Sequence, residues 1–152
     1  MKPWFRDDDE MELFEKYLVP DLRVFEWGSG GSTVKYGSMV KKWISIEHDL
    51  NWYLNVKAKV TQNENVRVFR VDKFNDYKRY SRAISYWPKN YFDLVFVDGR
   101  ARVACARNAH AHLKDDGYLI LHDCKRERYR EIFEMYEVVE IVNSLAVVQK
   151  FK

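Results

Sequence analysis

The chain has 152 residues, of which 47% are hydrophobic and 32% charged, and its formal net charge is +3. These are values of a globular protein, and ten Tyr, nine Phe and five Trp argue against disorder. No apolar run approaches the roughly 20 residues that span a bilayer, and MKPWFRDDDEMELF lacks the apolar core of a signal peptide. We therefore expect one soluble, cytoplasmic domain over residues 1–152 with no membrane contact.

Short β-rich runs alternate with helical segments along the chain. In chain order, the pattern predicts a helix over residues 11–18, a strand over 22–27, a helix over 32–40, a strand over 42–48, a helix over 50–60, a strand over 66–72, a helix over 77–86, a strand over 92–99, a helix over 102–113, a strand over 117–123, a helix over 125–136, and strands over 137–142 and 145–151. Residues 1–20 thus form an N-terminal helical segment and residues 21–152 the core.

This alternation is typical of βαβ units with right-handed crossovers and a parallel sheet. The runs FDLVFV and GYLILH are almost continuously apolar, as central strands covered on both faces require. The last two strands are joined by only Asn143 and Ser144, so they must be antiparallel. The predicted fold is an α/β, three-layer αβα sandwich with a mostly parallel seven-stranded sheet and an antiparallel C-terminal hairpin.

The stretch VFEWGSGGSTV places three glycines and small hydroxyl residues directly after an apolar run. In an open parallel sheet, such a turn lets a ligand approach the backbone at the carboxyl end of the strand. The dinucleotide fingerprint, aligned on Gly28 and Gly30, needs a glycine where Thr33 stands, and the lysine of a phosphate-binding P-loop is missing. Neither of these two kinds of site is therefore predicted.

Glu26, Gly28, Gly30 and Ser32 follow the pattern of an acid before G-x-G-x-G. The stretch resembles the first motif of the class I S-adenosylmethionine-dependent methyltransferases, and the resemblance extends over residues 22–150. It implies a Rossmann-like methyltransferase sheet with S-adenosyl-L-methionine as cofactor. It further implies that Glu26 faces the cationic amino group of the methionine moiety, often through water, where a pyrophosphate would be repelled.

Acids end the next predicted strands of the same sheet edge. Glu47, with His48 beside it, suits binding of the ribose diol. Asp72 stands where the family usually has an acid or polar group near the adenine amine, and Phe74 is expected beside the adenine ring. Asp98 ends the fourth strand. Each acid alone is more often a cap or turn residue, but acids at four successive strand ends predict one binding site.

The resemblance gives the glycine turn further roles. Ser32 replaces the third glycine, and its hydroxyl can cap the following helix, while Ser or Thr here can bind the ligand carboxylate. The predicted cofactor-binding residues are Glu26, Gly28, Ser29, Gly30, Ser32, Thr33, Glu47, His48, Asp72, Phe74 and Asp98. More narrowly, WGSGGST, SIEHDLNWY, FVDGRARVAC and LILHDC together resemble small bacterial-type methyltransferases of largely unassigned substrate.

Methyl transfer to oxygen or nitrogen requires an aligned acceptor and a group that manages its proton. The predicted catalytic residues lie after the fourth and fifth strands: Asp98, Arg100, Arg102, His122 and Asp123. Either aspartate or His122 can be the base, and a packed strand position is the other interpretation of His122. The two arginines suit an anionic acceptor, although pairing with neighbouring acids explains them nearly as well.

Asp98 and Asp123 also resemble the metal-binding aspartates of catechol-type methyltransferases, but Cys124 stands where that site has an asparagine. A thiol is a poor ligand for Mg²⁺, so no metal ligands are assigned and a Mg²⁺ ion is kept only as the less favoured alternative. Cys105 and Cys124 are too few for a disulfide framework, and we expect both to be small buried residues in a reduced compartment.

The predicted acceptor is a polar, anionic small molecule. The alternative is a methyltransferase directed at RNA or protein, or a nucleic-acid-binding module that uses the basic loops, since YKRYSRAISYW interleaves basic and aromatic residues. A second copy of the chain is an alternative partner, which would complete the open cleft in a homodimer. Trp4 and Phe5 either fold over the ligand as a lid or cover the sheet edge.

Overall fold

A seven-stranded sheet in the order β3-β2-β1-β4-β5-β7-β6 organises the computed structural model, which describes residues 1–152. The strands are β1 (Arg23–Trp27), β2 (Lys42–Glu47), β3 (Val66–Arg70), β4 (Phe92–Val97), β5 (Leu113–Leu121), β6 (Tyr136–Val142) and β7 (Leu145–Lys150). The helices are α1 (Asp8–Lys16), α2 (Gly31–Tyr36), α3 (Leu50–Val60), α4 (Phe74–Ser81), α5 (Arg102–Ala109) and α6 (Ile132–Met135).

Strands β1 to β5 are parallel, and β7 is antiparallel to both β5 and β6. The predicted parallel sheet with an antiparallel terminal hairpin is therefore confirmed. The hairpin turns at Asn143, whose φ is 53°. Successive connections move outward from β1 through β2 to β3 and then cross to β4, so the strand order reverses between β1 and β4, where an open α/β sheet leaves a crevice at its carboxyl edge.

Each face of the sheet supports its own hydrophobic cluster. One cluster of 22 buried residues includes Phe25 and Trp27 of β1 and lies under α5 and α6. The other, of 15 buried residues, includes Val24 and lies under α1, α2 and α3. Alternate residues of β1 thus enter opposite clusters, as the pleat of a strand covered on both sides requires. Cys105 and Cys124 are free and buried, as predicted.

The segment over residues 125–136 is not the helix that its sequence predicts. It forms a 3-10 turn at Glu127–Tyr129 and then the single turn of α6, before β6 begins at Tyr136. Of these twelve residues only Tyr129, Ile132 and Tyr136 are buried, so the packing that could hold a long helix against the sheet is small. The predicted helix over residues 102–113 is also too long, because β5 takes up the chain from Leu113.

The helix predicted over residues 77–86 is divided as well. Helix α4 begins earlier, at Phe74, and a 3-10 turn at Ala83–Tyr86 follows it. Asn75, Asp76 and Tyr77 have φ values of 55°, 56° and 60°, in the left-handed region that non-glycine residues seldom adopt. In contrast, α3 covers the predicted residues, and Asp49 caps it by accepting a hydrogen bond from the Trp52 amide at 2.8 Å.

Residues before α1 lie across the glycine turn. A Cβ atom at Gly31 would stand 1.9 Å from the carbonyl oxygen of Lys2, so backbone from both segments is in direct contact. Within α1, Glu10 is completely buried, and its carboxylate accepts a hydrogen bond from the Ser144 amide at 2.8 Å. This region therefore joins the first turn of the sheet to its last hairpin. None of the helices combines the length and apolar composition needed to cross a membrane.

Candidate functional site

A cavity of about 620 Å³ lies at the carboxyl ends of β1, β2, β4 and β5. It is lined by Trp4, Gly28, Ser29, Gly30, Gly31, Ser32, Glu47, His48, Asp49, Trp52, Asp98, Gly99, Arg100, Arg102, His122, Asp123 and Arg126. Parallel strands end at the same edge, which is why loops distant in sequence converge here. Most of the residues predicted to form the site therefore do meet around one space.

The glycine turn forms one wall. Gly28 has φ 91°, and a Cβ atom there would stand 2.8 Å from the Cα atom of Gly99 in the loop after β4. The two loops thus touch backbone to backbone, and the amide of Gly28 also donates to the carbonyl of Ile46 at 2.9 Å. Only glycine combines this positive φ with this approach.

We expect Gly28→Ala to lower the free energy of unfolding by about 2 kcal/mol or more, because it adds a strained φ and a backbone clash. Gly30→Ala is the matched control, since its Cβ would meet the Trp52 ring at an ordinary 3.6 Å. Urea unfolding followed by circular dichroism compares the two variants. Equal stability of both variants and the wild type would contradict the close contact of the loops.

Glu26 lies beneath the glycine turn and does not line the cavity. Its carboxylate is fully buried and accepts hydrogen bonds from the hydroxyls of Ser32 and Thr33. Two further donors are the Ser45 hydroxyl at 2.8 Å and the indole nitrogen of Trp43 at 3.1 Å. Burial raises the pKa of Glu26 to about 7, although these four hydrogen bonds oppose the shift. Only through Ser32, which lines the cavity, does Glu26 reach a ligand.

The predicted cap of α2 is wrong in detail. The helix begins at Gly31, so Ser32 lies inside its first turn and donates to Glu26 instead of accepting from a free backbone amide. Thr33, also directed at Glu26, accepts a hydrogen bond from the Gly30 amide at 3.0 Å and lies outside the cavity. A buried carboxylate attracts nearby hydroxyl donors strongly because nothing else there can satisfy it.

Glu47, at the end of β2, lies directly beside the glycine turn. One carboxylate oxygen accepts from the Ser29 amide at 3.1 Å and the Ser29 hydroxyl at 2.9 Å, and the other accepts from the amides of His48 and Asp49 at 3.0 Å each. The His48 ring lies against Tyr77, with ring centroids 5.5 Å apart. Glu47 is 4% exposed, so its carboxylate is fixed in orientation at the cavity surface.

The structure does not bring Asp72 and Phe74 to the cavity. The carboxylate of Asp72 accepts from the backbone amide of Phe74 at 3.1 Å, as a turn residue does. The Phe74 side chain is 74% exposed and belongs to the outer surface beyond β3. Both predicted positions are therefore wrong in place, and the three left-handed residues of α4 follow them directly.

Asp98, at the end of β4, is linked to a buried histidine. Nδ1 of His122 lies 2.8 Å from Oδ1 of Asp98, and Nε2 points to Glu10 of α1, 3.5 Å from its Oε2 without forming a hydrogen bond. Burial alone lowers the pKa of His122, but the hydrogen bond to Asp98 and the negative charges around the ring outweigh it and raise the pKa. The ring thus lies between two carboxylates, whose negative charge favours its protonated form.

Arg102 lies inside this cluster and not at the mouth of the cavity. Its guanidinium donates to the backbone carbonyls of Gly99 at 3.0 Å and His122 at 2.6 Å. It also stands 3.7 Å from Asp98 and 3.4 Å from Asp123. These contacts use the donors of Arg102 on the protein itself, so it holds the loops after β4 and β5 together.

Arg100 and Arg126 provide the positive charge that faces outward. Both are exposed and line the cavity, and Arg126 lies 3.3 Å from Asp123. No carboxylate lies within ion-pair distance of Arg100. The rim of the cavity beside Asp98 is therefore cationic.

The donor set beside Asp98 does not fit a magnesium ion. Ligand atoms of Asp98, His122 and Asp123 lie within 4.8 Å of one another. However, Arg102 and the His122 ring already contact the two carboxylates, and Cys124 contributes a buried thiol in the same loop. A hard dication would have to displace these cations and accept a soft neighbour.

Trp52 and Glu10 are residues of the site that sequence reasoning missed. The Trp52 indole donates to the Ser29 carbonyl at 2.6 Å, and its ring lies edge-on to Trp4 with centroids 6.2 Å apart. The position of Trp4 agrees with the lid interpretation, while Phe5 packs on Phe14 beneath. The position of Trp52 in the first turn of the helix that Asp49 caps could have indicated it from the sequence. Nothing in the sequence around Glu10 indicated its position.

No model of a protein family matches this sequence, and no curated protein matches it. Solved structures do. A methyltransferase-like protein from Silicibacter pomeroyi is 23% identical, with TM-score 0.77 over 98% of this chain and 88% of that one. The N-methyltransferase NodS from Bradyrhizobium japonicum is 16% identical, with TM-score 0.71 over 95% and 96% of the two chains.

Fibrillarin from Aeropyrum pernix, solved with natively bound S-adenosyl-L-methionine, is 16% identical, with TM-score 0.66 over 88% of this chain and 67% of that chain. At these identities the likeness concerns the fold. The chain has the Rossmann-like fold of the class I S-adenosylmethionine-dependent methyltransferases.

Proposed function

We propose that the protein is an S-adenosylmethionine-dependent methyltransferase that acts on oxygen or nitrogen of a polar, anionic small molecule. The observation that carries this proposal is the glycine turn at Gly28–Gly31 with the fixed carboxylate of Glu47 held beside it at one cavity. A turn without bulky side chains and an adjacent bidentate acceptor suit a nucleoside with a free ribose diol.

The residues of the cavity fit this cofactor. Glu47 would accept from the ribose hydroxyls once the Ser29 hydroxyl rotates away, and the three backbone amides that also hold Glu47 would maintain its orientation. Ser32 would bind the methionine end, and Glu26 would act on it through the Ser32 hydroxyl. Trp52 and Trp4 would cover the space above the turn and exclude water.

When bound, the cofactor supplies an electrophilic methyl group on a sulfonium. Among the three candidate bases, Asp98 is best placed to accept the acceptor's proton. One of its oxygens is occupied by His122, while the side chain retains 21% exposure. Both ring nitrogens of His122 face carboxylates, so His122 is a positioning residue. Asp123 is held by Arg102 and Arg126.

The charge of the rim supports an anionic acceptor. Arg100 has no carboxylate partner, and a guanidinium with free donors binds carboxylate or phosphate groups in a planar, two-bond geometry. The acceptor would therefore be oriented by Arg100 while its reacting atom lies near Asp98.

Titration with S-adenosylhomocysteine in a calorimeter tests the cofactor assignment directly. Saturable binding with one site per chain is expected. Radiolabelled methyl transfer to a panel of small carboxylates, phosphates and phenols then tests the acceptor class. A folded protein without saturable binding would refute the methyltransferase proposal, whereas binding without transfer to any anionic acceptor would refute only the acceptor class.

Glu47→Gln should weaken S-adenosylhomocysteine binding by about 1–3 kcal/mol, because an amide offers one acceptor oxygen where the carboxylate offers two. Calorimetry provides the affinity, and thermal melting shows whether the variant is folded. Glu64→Gln, an exposed acid in the turn before β3, changes net charge equally and should leave the affinity unchanged. Equal affinity in the Glu47 variant and the wild type would exclude the ribose role.

A further inference from the structure

The surface around the edge strand β3 is strongly positive, whereas the rest of the chain is close to neutral. Residues 67–86 contain six Lys and Arg against two Asp, a net charge of +4, whereas the whole chain of 152 residues has a net charge of +3. We call this surface the basic–aromatic face. Its cations are Arg67, Arg70, Lys73, Lys78, Arg79 and Arg82, and its exposed aromatic residues are Phe69, Phe74 and Tyr86.

None of the six cations has a carboxylate within 4.0 Å, although many lysines and arginines elsewhere in the protein are paired. Lys114 and Arg107, for example, lie 2.8 Å and 2.6 Å from acidic partners. Six unpaired like charges on one edge repel one another. A polyanion that lies along them would remove this repulsion.

Several of these side chains project from the same side of the sheet. Val66 and Val68 of β3 belong to the hydrophobic cluster under α3, so Arg67 and Phe69 project to the opposite side, where α4 lies. Phe69 lies 6.0 Å from the Trp87 ring, which confirms that direction. β3 is the last strand of the sheet, so no further strand covers this surface.

The aromatic residues distinguish the ligand from a simple polyanion. Phe69 is 44% exposed, Phe74 74% and Tyr86 84%, which are large exposed fractions for aromatic rings. Bases of a single strand stack on such rings, while its phosphates pair with the cations between them. In a duplex the bases are already stacked and cannot use these rings.

We propose that the basic–aromatic face binds single-stranded nucleic acid. The face also ends at the cavity: the Val71 amide donates to the Glu47 carbonyl at 2.9 Å, and Tyr77 packs on His48 of the cavity wall. A strand on this surface is thereby led to the mouth of the cavity. The proposal does not depend on methyl transfer, and its test needs no cofactor.

The test is fluorescence anisotropy with labelled oligouridine of about 20 nucleotides, and oligothymidine in parallel. Saturable binding of either supports the proposal, and the tighter one identifies the nucleic acid. Arg70 is in register with Val66 and Val68 and projects to the α3 side, so up to five of the cations contact phosphates, and log K should fall against log salt with a slope of about −3.5. Absence of saturable binding at about 50 mM salt would overturn the proposal.

Lys78→Glu combined with Arg79→Glu should weaken oligouridine binding at least about tenfold and make the salt slope shallower by about 1.5. The matched control is Lys57→Glu with Lys59→Glu on α3, which reverses two exposed charges on the other side of the sheet. An equal loss in both double variants would mean that only net charge matters and would overturn the assignment of this face.

Replacing Phe74 and Tyr86 with serine leaves the charge unchanged and should weaken oligouridine binding by about tenfold or more. Binding of inorganic polyphosphate, which has no bases, should not change. Both side chains are exposed, so thermal melting should show an intact fold. An equal loss for both probes, or a duplex that binds as tightly as the single strand, would contradict base stacking.

Discussion

Replacing Glu26 with alanine is expected to lower the free energy of unfolding by about 4 kcal/mol, a large share of the 5–15 kcal/mol typical of a domain. The change removes the common acceptor of four buried donors and leaves a cavity under the glycine turn. Urea unfolding measures the effect. Glu12→Ala, which removes an exposed acid on α1, is the control and should change stability little.

Glu26→Gln should instead alter the pH dependence of stability. The folded pKa of Glu26 is about 7 against an ordinary 4.5, so the folded state favours the protonated form. Its stabilising contribution is fully present below pH 4.5 and is lost as the pH rises through about 7, a change of about 3 kcal/mol. Glutamine cannot titrate. The free energy of unfolding is measured for the wild type and the variant at pH 5 and at pH 8. If the difference between the two proteins changes by less than about 1 kcal/mol over this range, the prediction is contradicted.

Asp98→Asn should reduce kcat by about 10²–10⁴-fold, because the amide cannot accept the acceptor's proton. The affinity for S-adenosylhomocysteine should change much less, since the Asp98 side chain bonds to His122 and not to Glu47 or the glycine turn. Single-turnover transfer and calorimetry separate the two effects. Asp123→Asn, at a carboxylate held by Arg102 and Arg126, is the comparison and should reduce kcat less. Equal losses in the two variants would refute the choice of Asp98.

The positioning role of His122 predicts a second pH effect. Because its folded pKa is raised, the stability that His122 contributes is fully present below its ordinary pKa of 6.5 and is lost as the pH rises through the folded value. His122→Gln should remove this dependence. It should also change the pH profile of kcat, because Asp98 then lacks a titrating partner at 2.8 Å. An unaltered profile would mean that His122 serves packing alone.

The fold was largely predictable because the strands are covered on both faces. Continuous apolar runs such as FDLVFV have few alternatives to a central strand, and the two-residue link at Asn143 allows only an antiparallel hairpin. Residues 125–136 were predicted wrongly, since a charged segment with good helix formers still needs packing to persist as a helix. Such packing depends on distant residues.

The sequence predicted most of the residues that line the cavity, but it did not predict which of them are buried beneath its surface. Acids at strand ends indicated the edge at which Glu47 and Asp98 meet. The burial of Glu26 could not be deduced from the sequence. A strand that is covered on both faces has no alternation of polar and apolar residues, so the sequence does not show toward which face of the sheet a side chain points. Glu10 was missed for another reason: its contacts to Ser144 and His122 join positions more than a hundred residues apart.

Two contacts made by the N-terminal residues, Lys2 with Gly31 and Glu10 with Ser144, determine the order in which parts of the fold can form. Glu10 and Ser144 are separated by 134 positions, so the wall near His122 closes only after residues up to Ser144 have been synthesised and the hairpin of β6 and β7 has docked. A ligand that needs this wall of the cavity therefore binds only after that step. A ligand at about 100 times its Kd would then stabilise every part of the molecule together, by about 2.7 kcal/mol.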